Sequence, residues 1–326
     1  MRKLVTLFVL ASGLLVAGQA SAQGDLNDLL KGSQADANYL AKGYLEPALN
    51  AIGSGLNQGW YNTAANHKKF GFDLTISASS IQFPSNELTY FVDNNKLQTI
   101  QIVGDPNAPT FVGSDVAPTY AYKSPLTGTF QGPPGINVKD IPLGGLPVPM
   151  VNVGIGLLWN TDLKLRYGSA NPSGGANVSL FGFAIQHDIK QHIPGLKELP
   201  FDLSALFGYT SFSSEVGFDS NFPDQKGKAD FTATTIQALI GKKFSVLTVY
   251  GAAGYNFSSG SFKATGTYTD TTTGNTFTDP INISSSINGP RFTAGMRLKL
   301  AVFTFHGDYT FQRYNTITLG FGISVR

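Results

Sequence analysis

The chain has 326 residues, and Asp, Glu, Lys and Arg make up only 13% of them, about half the roughly 25% usual in soluble globular proteins. Its 24 Phe and 13 Tyr carry too much apolar surface for a disordered chain. Mean hydropathy is near zero, and nothing beyond the N-terminus approaches the ~18 uninterrupted apolar residues of a spanning helix, which excludes a bundle of membrane helices. There is no cysteine, so disulfides, thiolate metal sites and a lipidated N-terminal cysteine are excluded as well.

Met1-Arg2-Lys3, the apolar run Leu4 to Gly18 and the small-residue motif Ala20-Ser21-Ala22 read in order as the three regions of a secretory signal, residues 1–22. Beyond it the basic and acidic residues balance. That balance removes nucleic acid as a partner, because phosphate binding needs a clustered basic excess.

Residues 23–69 form an N-terminal segment with helical character. Asp25 to Leu30 suits one amphipathic turn, and Ala35 to Leu56 a second helix interrupted at Pro47 and at Gly53 and Gly55. From Phe70 the period changes to two. Phe70, Phe72, Leu74, Ile76 and Ala78 alternate with Asp73, Thr75, Ser77 and Ser79. Weaker strands follow at 87–92 and 97–103. Val151, Val153, Ile155 and Leu157 then alternate with Asn152, Gly154 and Gly156, and Leu163, Leu165 and Tyr167 with Asp162, Lys164 and Arg166. Further strands are expected over 177–187, 202–212, 231–241 and 247–257. The last three are the cleanest, with Phe292 to Leu300, Phe303 to Phe311 and Ile317 to Val325 each presenting one apolar and one small or polar face.

Short turns near Ala301 and 242–245 alternate with long Thr-, Ser-, Pro- and Gly-rich connections over 104–149, 213–228 and 258–288. One rim of the sheet is therefore trimmed and the other elaborated. The expected fold is all-β: a closed antiparallel transmembrane barrel of about 12–14 strands, with 23–69 as a partly helical plug and 70–326 as the barrel. Twelve strands are read directly, and fourteen would follow if 104–149 hides a hairpin around Thr119–Tyr122 and Gly128–Gln131. A soluble sandwich would need a more charged solvent face. A membrane barrel turns its apolar face to lipid and accepts Gly, Ser, Thr and scattered charges inside. Aromatic residues near strand ends, such as Trp159, Tyr167, Phe212, Tyr255, Phe257 and Tyr314, fit interfacial girdles.

With apolar faces outward, Asp73, Asp162, Lys164, Arg166, Asp202, Arg291, Arg297, Lys299, His306 and Asp308 point to the lumen. A tight turn at Ala301 sets His306 opposite Arg297, with Asp308 one diagonal step away. Such a set reads either as a salt-bridge ladder that stiffens the interior or as a constriction selecting anionic or amphipathic solutes. Phe181, Phe183 and Ile185 share a strand with Val178, Leu180, Gly182 and Ala184, so both faces are apolar there. That pattern suggests packing against the N-terminal segment or an apolar binding patch. The lumenal binding candidates are thus Phe181, Phe183, Ile185, Arg166, Arg297, His306 and Asp308. His187 and His192 lie five apart without a carboxylate pair to complete a metal shell, and no serine is fixed near a histidine by a local motif. The expectation is no enzyme, no metal and no cofactor.

This layout resembles the FadL-like long-chain fatty acid transporter family and related outer-membrane barrels. Residues 23–69 stand where that family has its hatch. Tyr61-Asn62-Thr63-Ala64 stands where it has an Asn-Pro-Ala turn, without the proline, and 160–167 and 187–195 look like stretches of other Gram-negative barrels. The resemblance implies a plugged monomeric barrel moving hydrophobic substrates, in contact with outer-membrane lipid and the barrel assembly machinery. The chain ends Ser324-Val325-Arg326 rather than on an aromatic residue. The functional expectation is passive transport of hydrophobic or amphipathic small molecules. The alternative is a structural or surface-interaction protein with a closed lumen.

Overall fold

A computed structural model of the protein describes residues 30–171, 176–219, 222–269 and 274–325; the expected signal, 1–22, lies outside them. Ten strands form one closed barrel. They are β1 (Phe72–Ile81), β2 (Leu146–Gly156), β3 (Thr161–Ala170), β4 (Asn177–Asp188), β5 (Asp202–Asp219), β6 (Phe222–Phe244), β7 (Leu247–Thr265), β8 (Ile281–Leu300), β9 (Phe303–Phe311) and β10 (Thr316–Val325). Each pairs antiparallel with its neighbours in sequence, and β1 closes the ring on β10, with Phe72 opposite Val325.

The ring is smaller than the expected 12–14 strands because the weak candidates at 87–92 and 97–103 leave it. Thr89–Phe91 pairs with Asn107–Pro109, and Ile100–Val103 pairs with Thr119–Tyr122, which pairs in turn with Thr129–Gln131. The hairpin suspected inside 104–149 does form, but in this cap over the elaborated rim. Strands of three or four residues are too short for the ~9–11 residues that cross a bilayer.

Two of the three connections expected to be long loops are largely strand. β5 to β8 run for 18, 23, 19 and 20 residues, roughly twice a bilayer crossing, and stand above the rest of the ring as a raised wall. Alternation continues through these strands, with one register shift between β5 and β6 at Gly217 and Asp219, but its polarity inverts. On β8, Phe292, Met296 and Leu300 point outward and are exposed while Arg291, Thr293 and Arg297 are buried inside. Higher up the same strand, Ile281 and Ile283 are the buried inner residues and Asn282, Ser284, Ser286 and Asn288 are exposed outside. β7 repeats the change, from exposed Val249, Tyr255 and Phe257 to Ser259 and Lys263. The outward face is thus an apolar belt below and a water-compatible surface above.

Inside the wall lies helix α1 (Gln34–Leu56). Ser33 and Asp36 build a reciprocal capping box at its start, which satisfies backbone donors that a helix leaves open. Asp36 also accepts from the backbone of Gln98 and from the backbone and hydroxyl of Thr99, at 2.6, 2.9 and 2.7 Å, so the same carboxylate fastens the cap. The helix runs through Pro47 without a break. Tertiary packing overrides the local preference: Pro47 is itself buried, and Ala37, Leu40, Ala41, Tyr44, Leu49, Ala51 and Leu56 join a core with Val148 and Met150 of β2, Leu180 of β4, Phe231, Ile281 and Ile283 of the raised wall and Ile100, Ile102 and Tyr120 of the cap.

Candidate functional site

Below α1 the chain descends as an irregular segment, 57–69, through the lower half of the ring, and there the interior changes character. The helix has no basic residue in its own last turn, yet its C-terminal carbonyls carry the negative end of the helix dipole. The barrel supplies the missing charge. From β3, Arg166 donates to the carbonyl of Leu56 at 2.8 Å, to the carbonyl of Gln58 and to the side-chain oxygen of Asn152, and its guanidinium lies 3.5 Å from the centre of the Trp60 ring. From β8, Arg291 donates to the Asn57 carbonyl at 3.0 Å and to the Gln58 side-chain oxygen at 2.8 Å. Both arginines are almost fully buried.

Burying a guanidinium costs several kcal/mol, and each charged hydrogen bond returns about 1.5–3 kcal/mol. The multiple contacts around each arginine are therefore what make the burial tenable. Removing Arg166 would take the donor from the Gln58 carbonyl, and removing Arg291 that of the Asn57 carbonyl, while the Leu56 carbonyl also accepts from the Thr210 hydroxyl at 3.2 Å.

The rest of the segment is held by barrel side chains on its backbone and by its own Asn66 and His67 on the barrel. Asn152 donates to the Gly59 carbonyl at 2.7 Å and Lys164 to the Trp60 carbonyl at 3.0 Å. Gln186 donates to the carbonyls of Thr63 and Ala64 at 3.3 and 3.2 Å. Asn66 donates to the carbonyls of Asn160 and Gln186. His67 closes the series: its Nδ1 lies 2.9 Å from Asp162 and its Nε2 3.6 Å from Asp73. Trp60 fits because Gly208 and Gly182 face it; a Cβ at Gly208 would lie 2.8 Å from the indole nitrogen.

Arg297 and His306 sit opposite each other on β8 and β9, as the turn at Ala301 predicts, and Asp308 lies opposite Gly295. Asp308 accepts from the Tyr250 hydroxyl at 3.0 Å, and the Tyr250 ring meets Tyr61 edge-on. His306 packs against Gly320, where a Cβ would lie 2.0 Å from its Cε1. Both His306 nitrogens, Arg297 Nε, Thr304 Oγ1, Ser77 Oγ and Asp73 Oδ1 are buried without a hydrogen-bond partner in the protein. They belong to β1, β8 and β9 and mark a polar zone beside the segment.

Three of the expected binding residues are elsewhere. Phe181 and Ile185 are 49% and 44% exposed on the outer face of β4, and Phe183, half-buried on that face, contacts the rings of Phe181, Phe207 and Tyr209. Their strand is apolar on both faces because Val178 and Leu180 face the core while the phenylalanines belong to the outer belt. They do not line the lumen. Arg166 does, and it serves the segment's backbone. A ladder of wall-to-wall ion pairs does not describe its surroundings, since its acceptors are carbonyl and amide oxygens. Sequence reading assigned Arg291 only to the interior and missed Trp60, Gln58 and Gln186; the one available trace was the glycine pair at 182 and 208 on inner-face positions.

A family described as a family of unknown function, DUF6588, matches residues 1–325. Among the curated proteins, none matches this sequence. Among solved structures, the translocator domain of the autotransporter NalP from Neisseria meningitidis is 12% identical, over 90% of this chain and 98% of that one, with a TM-score of 0.32. Ail, the attachment invasion locus protein of Yersinia pestis, is 10% identical over 79% and 99%, with a TM-score of 0.29. The beta domain of the Bordetella autotransporter BrkA is 8% identical over 78% and 99%, with a TM-score of 0.27.

Proposed function

The chain belongs to the DUF6588 family, and we propose that it is an outer-membrane barrel, closed at rest by its own residues 30–69, that works through the structured surface at its elaborated rim. The observation that carries this reading is the core in the upper half: α1, the raised wall and the cap share one apolar interior. A hatch that swings aside would expose Leu40, Leu49, Leu56, Phe231 and Ile283 to water, at roughly 1.5–3 kcal/mol for each large side chain. The inverted alternation supports the membrane placement, since the apolar belt ends where the wall turns polar, and a closed ring leaves no unpaired strand edge in hydrocarbon.

Planar-bilayer recording tests the closed lumen. Purified protein is expected to insert without steady conductance, and a variant carrying Arg166→Ala and Arg291→Ala to flicker open. Steady conductance of the unaltered protein would overturn the reading.

Passive transport is the second reading, and the polar zone around Arg297, His306, Thr304 and Ser77 favours it in one form. Unpartnered polar atoms inside a wall suit water and small polar or anionic solutes passing beside the segment. The resemblance to fatty acid transporters points instead to a greasy solute, but the aromatic side chains that suggested one lie on the outer belt.

A further inference from the structure

Strand β8 has a neighbour on both sides only over its lower half. From Phe292 down it pairs with β9, whereas over 281–291 only β7 pairs with it. The second edge opens near the top of the apolar belt, where water can satisfy it. Backbone groups of an antiparallel strand point alternately to its two sides. The Lys299 amide donates to the Val246 carbonyl, at the start of the β7 side, and the β7–β8 register holds without a shift. Odd-numbered residues of β8 therefore serve β7, and even-numbered ones face the open side.

Both ends of this edge are closed off. At the top, the Asn38 side-chain amide of α1 accepts from the Asn282 N–H at 3.0 Å and donates to the Pro280 carbonyl at 2.6 Å, the pair of bonds that a residue of an added strand would supply. At the bottom, Pro290 has no N–H to offer, as suits a proline on an edge strand. Between them the N–H and C=O groups of Ser284, Ser286 and Asn288 have no partner among the described residues, and all three residues are exposed. No residue from 281 to 290 is charged, so the lysines that commonly guard such edges are missing. The edge is also held in place, because the Ser285 hydroxyl on the inner face contacts Asn50 of α1 at 2.8 Å, which lowers the ordering cost of binding.

We propose that the β8 edge over 284–290 receives an extended polypeptide segment of a partner outside the membrane, which adds a strand to the raised wall through backbone hydrogen bonds. This rests on the reading that the protein works through its elaborated rim. A second copy in the same membrane does not fit. Barrel strands tilt by ~35–45°, so two upright copies meeting about an axis along the membrane normal would cross their β8 edges at about twice that angle, far beyond the ~20–25° between paired strands. A free chain carries no such constraint. At the foot of the edge a crevice of about 270 Å³ is lined by Ser54, Asn256, Asn288, Gln312 and Arg313 among others, and a Cβ at Gly289 would meet nothing within 4 Å. That leaves room for one inward side chain of the incoming strand, and the polar lining selects an uncharged polar one. The segment recognised is thus about six residues, ~20 Å when extended.

The test is selection of a display library of random peptides of about nine residues on the full-length chain in detergent, with resynthesis of the enriched sequences. Enriched peptides are expected, and Ser286→Pro, which removes an edge N–H without touching the β7 ladder, is expected to weaken them by about tenfold, the worth of a lost hydrogen bond with its partner left unpaired. N-methylation of alternate peptide amides is expected to do the same and needs no variant to fold. Absence of enriched peptides overturns the proposal, as do peptides indifferent to both changes, which bind the apolar belt or the cap. A dimer in sedimentation that Ser286→Pro abolishes assigns the edge to a second copy and overturns it too. Conductance recorded on the same preparation separates the two readings: a silent barrel that takes no peptide defeats this inference alone, and steady conductance defeats the closed lumen.

Discussion

The upper and lower halves of the barrel hold the same N-terminal segment by opposite means. Above, α1 is buried in a core of Leu, Ile, Phe and Tyr side chains, and the wall turns Ser, Asn and Lys to the outside. Below, residues 56–67 are suspended from the wall by Arg166, Arg291, Lys164, Asn152 and Gln186, and the wall turns Phe, Ile, Val and Met outward. Each half puts on its outside what its surroundings solvate and keeps the rest inside. A helix in the upper half satisfies its own backbone and can be gripped by apolar side chains. The irregular segment below cannot, so its carbonyls are met by hydrogen-bond donors from the barrel, while Asp162 accepts from the backbone N–H of His67.

Substitutions separate the two mechanisms, beginning with the one of largest effect. Leu40→Ala, in the upper core, is expected to cost about 2–5 kcal/mol, seen as a lower urea midpoint in detergent and faster trypsin cleavage within the cap. Arg166→Ala should cost somewhat less, about 3 kcal/mol, from the Gln58 carbonyl and the Asn152 side-chain oxygen that lose their donor at ~1–3 kcal/mol each. It should leave the cap protease-resistant while raising conductance noise. An equal effect on the cap would erase the distinction between the halves.

Asp36→Ala comes next, at about 1–2 kcal/mol for a lost cap. Burial raises the Asp36 carboxyl pKa, but hydrogen bonds from Gln98, Thr99 and Ser33 outweigh it and hold the value below the usual carboxylate range. A lowered folded value means that the stabilisation is present above the unfolded pKa and lost as pH falls through the folded one. Cap protection from protease should therefore fade below about pH 4 in the unaltered protein, and Asp36→Asn should remove that pH dependence. Smallest is Glu215→Gln on the outer surface of the raised wall. Glu215 lies 2.7 and 3.1 Å from Lys226 and Lys228, but the partly exposed pairs are worth at most about 1 kcal/mol. A larger loss in the urea midpoint would mean that the wall's outer face is covered by something other than water.

The alternation of the strands was legible from residue types alone, because a strand sends successive side chains to opposite faces and the surroundings demand one polarity on each. It placed all ten barrel strands, the opposition of Arg297 and His306 and the inward direction of Arg166. The raised wall escaped it because Ser258, Ser259, Ser284 and Ser286 read as loop residues until Phe262, Ile281 and Ile283 are seen to have a helix to pack against. Phe181 and Phe183 were misplaced for a related reason: a strand that is apolar on both faces does not say which face meets lipid.

By itself, then, the sequence determined a closed sheet with one trimmed and one elaborated rim, since period and turn chemistry are local properties of the chain. Only the tertiary structure decided that two weak strands join a cap, that the polarity of the wall inverts halfway up, and which donors hold residues 56–67. Those features depend on contacts such as Arg166 with Leu56 and Asp36 with Thr99, between residues 110 and 63 positions apart, and no local pattern encodes a partner at that distance.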